Sequence, residues 1–331
     1  MLKISVVVVC YNTKSTIESC VKSLAQQDYS NEFYEILFVD NDSTDGTRQV
    51  IEKYAQSEPN IRLVINPVLG IAGSRNIGLQ QAKYGYVAFT DADCRAPKNW
   101  LARLSAGFER HREKHENLVA VGGSNVPPQD HSVFYRTLHV FLNTFLGSHG
   151  SVQGKRFDSD KQVPHLPTVN VMYHRDNVLE IEGFDETLGN IGEDQDMSFR
   201  LEDAGYKMIY LADIAVEHHM RSTFRSWIKN MFVYGKGRLW LMRKHPRRRE
   251  IILIFPMLLV IAFLIAIFGV VHPIFSVPFI LYFVIVLLSS CIAVIREKKY
   301  SLFGNLVFLF ITTHVAYGLG EWYGLFKNRR I

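Results

Sequence analysis

Cysteine is scarce in this 331-residue chain: only Cys10, Cys20, Cys94 and Cys291 occur, none in CxxC or other metal-ligand spacing. A disulfide framework and a zinc site are thereby excluded, and a reducing compartment fits. Internal repeats and low-complexity tracts are absent too, so a solenoid or a disordered chain is not expected. The first residues, MLKISVVVVCYN, hold an apolar run of only about six residues without a small-residue cleavage site, which predicts a buried first strand rather than a signal peptide. The segment after that run, VVCYNTKST, lacks the basic, glycine-rich phosphate loop expected of a nucleotidyltransferase.

Formal charge is missing from two long stretches, Ile251 to Val271 and Ile274 to Ile295. Each is close to the roughly 20 residues that cross a bilayer core as a helix. Only His272 and Pro273 separate them, which predicts a helical hairpin; the competing reading is a pair of buried core helices. Residues 221–250 carry ten basic residues and one acidic, residues 251–331 six and two, and residues 1–220 carry 21 and 29. An acidic body, a basic collar and an apolar tail point to a lipid membrane as partner, and no nucleic acid. With basic residues at both outer ends of the hairpin, the positive-inside rule makes this an integral membrane protein with residues 1–220 on the cytoplasmic face of the cell membrane. A third stretch, 302–325, contains His314 and Glu321; it is read either as a third crossing or as a re-entrant segment.

The N-terminal region alternates in period. ISVVVV (4–9), Glu35 to Val39, Arg62 to Ile65 and Tyr86 to Thr90 read as buried strands, each but the last followed by a polar cluster and a helical pattern. This predicts an α/β domain with a mixed, mainly parallel central sheet, whose ligands bind at the carboxyl ends of the strands. Leu118 to Gly123, Thr168 to Tyr173 and Met208 to Leu211 read as further strands. Phe134 to Phe145 reads as a helix whose apolar face meets either a core or lipid, and residues 147–166 as a loop long enough to form a mobile lid.

Two acidic clusters carry the chemistry. Asp91 and Asp93 follow the strand YVAFT, and two carboxylates at a strand end suit a cation such as Mg²⁺ or Mn²⁺ that carries phosphates. In Gly192-Glu193-Asp194-Gln195-Asp196, three carboxylates crowd the first turn of an amphipathic helix. The helix dipole alone accounts for one of them, Asp196, and another can act as a general base.

These segments in this order, VVVVCYN, FVDNDSTDGT, NPVLGIAGSRNIGLQQA, FTDADC, TVNVMYHRDNVLEIEGFDE and GEDQDMSFRLEDAGYKMIY, resemble a family-2 glycosyltransferase over about residues 3–240. The resemblance implies the GT-A (Rossmann-like) nucleotide-sugar-binding fold followed by C-terminal transmembrane helices. It is strongest to membrane-attached enzymes of exopolysaccharide or lipid-linked glycan synthesis. The donor it implies is a nucleoside-diphosphate sugar, a UDP-sugar ahead of a GDP-sugar, and the acceptor a lipid-linked or glycan molecule. Tyr11, Asn12, Asp40 and Asp42 would line the base and ribose pocket, with an Asx turn as the other reading of Asp42. Gly70, Gly73, Arg75 and Asn76 would admit the nucleotide, Arg75 bonding a phosphate unless it is an ordinary surface residue. Asp91 and Asp93 would hold the metal-diphosphate, and Asp194 would be the base, with Glu193 second. His219 or His218 would complete the metal shell or touch the diphosphate, together with Arg221, Lys236 and Arg238. Cys10 stands where many relatives have proline, and the QxxRW signature of processive synthases is missing. A non-catalytic scaffold or flippase partner is the alternative, against which Asp91, Asp93 and Asp194 argue. The domains expected are 1–220, 221–250 and 251–331, the last with helices at about 251–271, 274–295 and 302–325.

Overall fold

The computed structural model describes residues 1–68, 70–128, 132–149, 151–152, 156–188, 191–220, 223–248 and 254–327. The chain forms two compact units, Met1–Val126 with Val152–Met220, and Pro127–Ser151 with Arg221–Ile331.

In the first unit the β-branched run forms β1 (Ile4–Cys10), buried on both faces. There follow α1 (Lys14–Ala25), β2 (Tyr34–Asp40), α2 (Thr47–Ser57), β3 (Ile61–Ile65), α3 (Ile71–Gln81), β4 (Tyr86–Asp91), β5 (Cys94–Arg95), α4 (Trp100–Arg112) and β6 (Leu118–Val126). After α5 (Val133–Leu142) and α6 (Phe145–Ser148) of the second unit come β7 (Lys161–Gln162), β8 (Val171–His174), α7 (Arg175–Glu180), α8 (Glu193–Asp203) and β9 (Lys207–His218). The sheet runs β3-β2-β1-β4-β8-β6-β9-β5, with β7 also on β9. Pairs β1–β2, β1–β4, β2–β3 and β6–β9 are parallel, and the β8, β5 and β7 pairings are antiparallel. The expected mixed, mainly parallel sheet is what forms.

Alternation along β1 sends Val6 and Val8 into one core with α1, α2 and α4, and Val7 into another with α3, α7 and α8. Both faces are thus covered, and the open edge is the one at the carboxyl ends of β1, β2 and β4. Register aligns them there: Cys10 lies opposite Asp40, and Val9 opposite Asp91.

The segment expected to be a mobile lid is pinned where it is described. Asp160 accepts from Arg110 at 2.5 Å and from the Ala212 amide at 2.9 Å, and lies 2.8 Å from His111 Nε2; the Phe157 amide donates to the Tyr210 hydroxyl at 3.1 Å. Residues 147–151 belong to the second unit, and 153–155 lie outside the described residues.

The second unit holds α5, α6, α9 (Phe224–Lys244), α10 (Phe255–Ala266), α11 (Val277–Arg296) and α12 (Phe303–Phe326). The apolar face of α5 packs in its interior, with Phe141 against Phe310 at 4.8 Å and Trp227 at 6.1 Å between ring centroids. Residues 127–151 therefore leave the domain that the sequence assigned them to. The basic stretch after residue 221 is not a separate collar. Most of it is α9, which buries Trp227, Met231, Leu239 and Trp240. Glycines set its crossing with α12: a Cβ at Gly235 would lie 2.0 Å from the Tyr317 carbonyl oxygen, and one at Gly320 2.0 Å from that of Phe232. Arg243 donates to the last α12 carbonyls, Gly324 at 3.2 Å and Leu325 at 2.9 Å, where the helix dipole favours a cation.

Among the described residues two helices, Pro273–Arg296 and Tyr300–Phe326, are long and apolar enough to cross a membrane. The helix expected at 251–271 is described only from Phe255 to Val270, shorter than a full crossing, and 251–253 lie outside the described residues. Leu264, Val271, Leu281, Leu288 and Ile292 are all more than half exposed, an apolar surface of the kind that faces lipid or a partner rather than water. Within α12, His314 is satisfied by Tyr282 Oη at 2.9 Å and the Leu146 carbonyl at 3.1 Å. Glu321 is fully buried, with neither carboxylate oxygen hydrogen-bonded among the described residues.

Candidate active site

Two loops meet beyond the ends of β1 and β2. Asn12 has φ +50°, a left-handed conformation that asparagine tolerates. Its amide donates to Ser43 Oγ and its Oδ1 accepts from the Thr44 amide, both at 2.9 Å. The expected ligand contact of the Asn12 side chain is thus partly spent on joining the loops. Asp40 is fully buried: Oδ2 accepts from Arg48 Nε at 3.0 Å and Nη2 at 2.9 Å, while Oδ1 has no hydrogen-bond partner among the described residues. That buried oxygen lacks a donor among the described residues. Tyr11 and Asp42 are exposed, and Asp42 takes φ +61°, in keeping with its turn reading.

Arg75 is not a surface residue. Its side chain is 4% exposed and makes an ion pair with Glu193, while Nη2 lies 3.4 Å from Asp91 Oδ1 and the guanidinium sits over the Phe184 ring at 5.5 Å. Two carboxylates therefore already neutralise the group expected to bond a phosphate. Asn76 is likewise a strut: its amide donates to the Phe184 carbonyl and Glu186 Oε1, both at 2.9 Å, and accepts from the Phe184 amide at 2.8 Å. Gly73 faces the same loop, a Cβ there lying 3.4 Å from the Glu186 carboxylate.

At the end of β4, Asp93 Oδ1 lies 3.3 Å from His218 Nε2. His218 Nδ1 is 2.9 Å from Asn125 Nδ2, which orients the ring. Asp93, Cys94 and His218 bring their ligand atoms within 4.8 Å of one another. Burial pushes the Cys94 thiol well above its ordinary value, which keeps it protonated while no cation is bound, and a thiol is a soft ligand that suits a hard cation poorly. His219, expected in the metal shell, instead pairs with Glu217 at 3.5 Å; only its backbone amide reaches the Asp93 carbonyl, at 2.9 Å. His218 is the last residue of β9 and His219 the first beyond it, so the two side chains leave the strand end differently.

Gly192, at φ +77°, turns the chain into α8. Asp196 is fully buried and held by Arg200 Nε at 2.8 Å, a structural role. Asp194 keeps a quarter of its side chain exposed; Oδ1 accepts from the Gln195 amide at 2.8 Å, and Oδ2 lies 3.8 Å from His165 Nε2. Burial raises the Asp194 carboxyl above the usual carboxylate range, opposed by Arg75 and reinforced by the negative charge of Asp91. Burial likewise pushes Glu193 up to about 6, opposed by Arg75.

Residues 5–181 match the family described as Glycosyl transferase family 2. The chain belongs to that family. Glycosyltransferase AglE of Haloferax volcanii is 28% identical over 258 residues, 74% of this chain and 77% of its own. A Methanococcus voltae dolichyl N-acetyl-alpha-D-glucosaminyl phosphate 3-beta-D-2,3-diacetamido-2,3-dideoxy-beta-D-glucuronosyltransferase is 25% identical over 330 residues, 98% of both chains. Among solved structures, mannosyltransferase PcManGT from Pyrobaculum calidifontis, in complex with GDP-Man and Mn²⁺, shares the fold with a TM-score of 0.59. It is 20% identical, over 95% of this chain and 86% of that one. The protein is thus a family-2 glycosyltransferase of the GT-A fold.

In this family-2 chain Lys236 and Arg238 lie on α9 in the second unit. There Lys236 sits over the Trp240 ring at 4.6 Å and Arg238 Nε donates to the Tyr317 hydroxyl at 3.2 Å. Arg221 lies outside the described residues. Sequence reading missed Asn125, Phe184, His165 and Ser198. A polar Asn at the end of the GGSN strand was the one signal for Asn125; Phe184 and Ser198 stand inside the segments that carry the family resemblance and His165 in the 147–166 loop, but nothing there singled them out.

Proposed function

We propose that this glycosyltransferase moves a sugar, with inversion, from a nucleoside-diphosphate donor to a membrane-associated acceptor, polyprenyl-linked or a growing glycan. One observation carries the reading: Arg75 links Asp91, from the strand-end acidic pair, to Glu193, from the distant acidic cluster, so the two motifs form one site.

The residues fit a divalent cation. A carboxylate and an imidazole that converge beside a protonated thiol suit Mn²⁺ more than Mg²⁺. Asp93 and His218 would hold it, with Asp91 alongside, and when bound it neutralises charge on the leaving diphosphate. Ligation through Nε2 would need the hydrogen on Nδ1, and so would need the Asn125 amide to turn its oxygen, in place of Nδ2, toward the ring. On the nucleotide side, Asp40 Oδ1 accepts from a base or ribose donor, with Tyr11 and Asp42 at the open rim. Asp194 takes the proton of the acceptor hydroxyl as it attacks the anomeric carbon. Glu193 is the weaker base, because its carboxylate is committed to Arg75. A single displacement on one side of the sugar inverts that carbon.

The acceptor reading draws on the two long apolar helices and on relatives. One is named for transfer to a dolichyl-linked sugar, and AmsB of Erwinia amylovora for amylovoran biosynthesis, at 28% identity over 76% of this chain and 81% of its own. A UDP-sugar stands ahead of a GDP-sugar, and the catalytic unit sits on the cytoplasmic membrane face. The test is mass spectrometry of lipid extracts after incubation with a panel of nucleotide sugars. A mass gain of one sugar on a polyprenyl-linked species supports the reading. Donor hydrolysis without any glycosylated lipid or glycan contradicts it.

A further inference from the structure

His165 lies in the loop before β8, three residues ahead of the TVNVMYHRDNVLEIEGFDE segment and outside it. Its Nδ1 is 2.9 Å from Ser198 Oγ. Ser198 is one turn along α8 from Asp194, and its hydroxyl reaches the Asp194 carbonyl at 3.0 Å. A carbonyl only accepts, so with the serine proton on it Ser198 Oγ accepts from His165 Nδ1; the Tyr173 hydroxyl lies beside the same serine. In that arrangement Nδ1 carries a hydrogen and Nε2 is turned toward Asp194 Oδ2, at 3.8 Å. Such separations between catalytic groups shorten once substrate is bound. The other titratable groups around Asp194 are Arg75 from α3, Asp91 from β4, Tyr173 from β8 and Glu193 on its own helix. Arg75 holds no free lone pair, Asp91 and Glu193 face Arg75, and Tyr173 brings a proton of its own. His165 is the neighbour with a basic atom aimed at the carboxylate.

We propose that His165 is a positioning residue for the base: fixed by Ser198, its Nε2 receives the proton that Asp194 takes from the acceptor. The inference rests on Asp194 being the base. The acceptor O–H bond breaks and its proton moves to Asp194 Oδ2. The oxygen bonds the anomeric carbon, and the bond to the diphosphate breaks with its electron pair on the leaving group. The proton then passes to His165 Nε2, leaving an imidazolium beside a regenerated carboxylate, and is lost to water after product departs.

The test uses the full-length enzyme with His165→Asn, which keeps a donor near the Nδ1 position for Ser198 and removes Nε2. The expected result is a kcat lower by about 10- to 100-fold with donor KM within about 2-fold of wild type, and no further loss when His165→Asn is added to Asp194→Asn. Unchanged kcat, a donor KM that rises in step with the loss, or an equal further loss in the Asp194→Asn background overturns the proposal. If His165→Asn does not fold, Ser198→Ala serves instead. It frees the ring, and a lowered kcat that vanishes in the Asp194→Asn background supports the same role, whereas full activity refutes it. Full transfer by Asp194→Asn alone marks failure of the base assignment rather than of His165.

Discussion

Arg75 and Glu193 form an ion pair in which 4% and 8% of the side chains are exposed. The charges are shielded from water, so their desolvation is large and each depends on the other. Arg75→Gln leaves Glu193 and Asp91 close together without a cation and is expected to cost about 3–5 kcal/mol of stability. Glu193→Gln still leaves Arg75 with Asp91 and should cost clearly less. Denaturation of the two variants side by side checks the order, and equal losses would show that Asp91 does not share the guanidinium.

The raised carboxyls give activity an acid limb above the ordinary carboxylate range of about 4. A base must be ionised, so transfer falls as pH drops through the raised Asp194 value. Stability has the opposite slope. For Glu193 the folded value, about 6, lies above the unfolded one, so its contribution is complete below about 4.5 and is lost as pH rises through 6. Glu193→Gln should flatten thermal stability over that window. A wild-type profile with its acid limb at or below pH 4 would speak against a base whose carboxyl is raised.

The sheet was legible because its strands are buried on both faces and end in polar clusters: ISVVVV and YVAFT became β1 and β4, and Asp91 came to the ligand edge. What was not legible depends on distant contacts. Nothing within SRNIG distinguishes Arg75 as a buried hub from a surface arginine; only the arrival of α8 decides it. The choice between His218 and His219 rests on the phase of β9, which extends to His218 where only Met208 to Leu211 read as a strand. Helix α4 was not anticipated, and the apolar face of α5 gave no hint that it packs with α12.

For the cation, His218→Ala should raise the Mn²⁺ concentration needed for half-maximal activity by about 10-fold or more, while His219→Ala changes it little. Chelation of divalent ions should abolish turnover. A titration in which His219→Ala shows the larger shift would reverse the assignment.

In the second unit, Gly235→Ala forces a Cβ against the Tyr317 carbonyl oxygen and should cost about 1–3 kcal/mol, measured by thermal unfolding. For topology, a reporter near residue 272 should label from outside and one at the N-terminus from inside. The reverse pattern would place the catalytic unit on the wrong face.

The most direct measurement is of Asp194→Asn: donor affinity by equilibrium binding and sugar transfer in a single turnover, beside Asp93→Asn. An amide keeps the shape of the carboxylate but does not accept the proton. Asp194→Asn should bind donor and Mn²⁺ as wild type does and transfer about 10²- to 10⁴-fold more slowly, whereas Asp93→Asn should lose affinity as well. Normal transfer by folded Asp194→Asn, with transfer lost in Glu193→Gln, would contradict the assignment of Asp194 as the base.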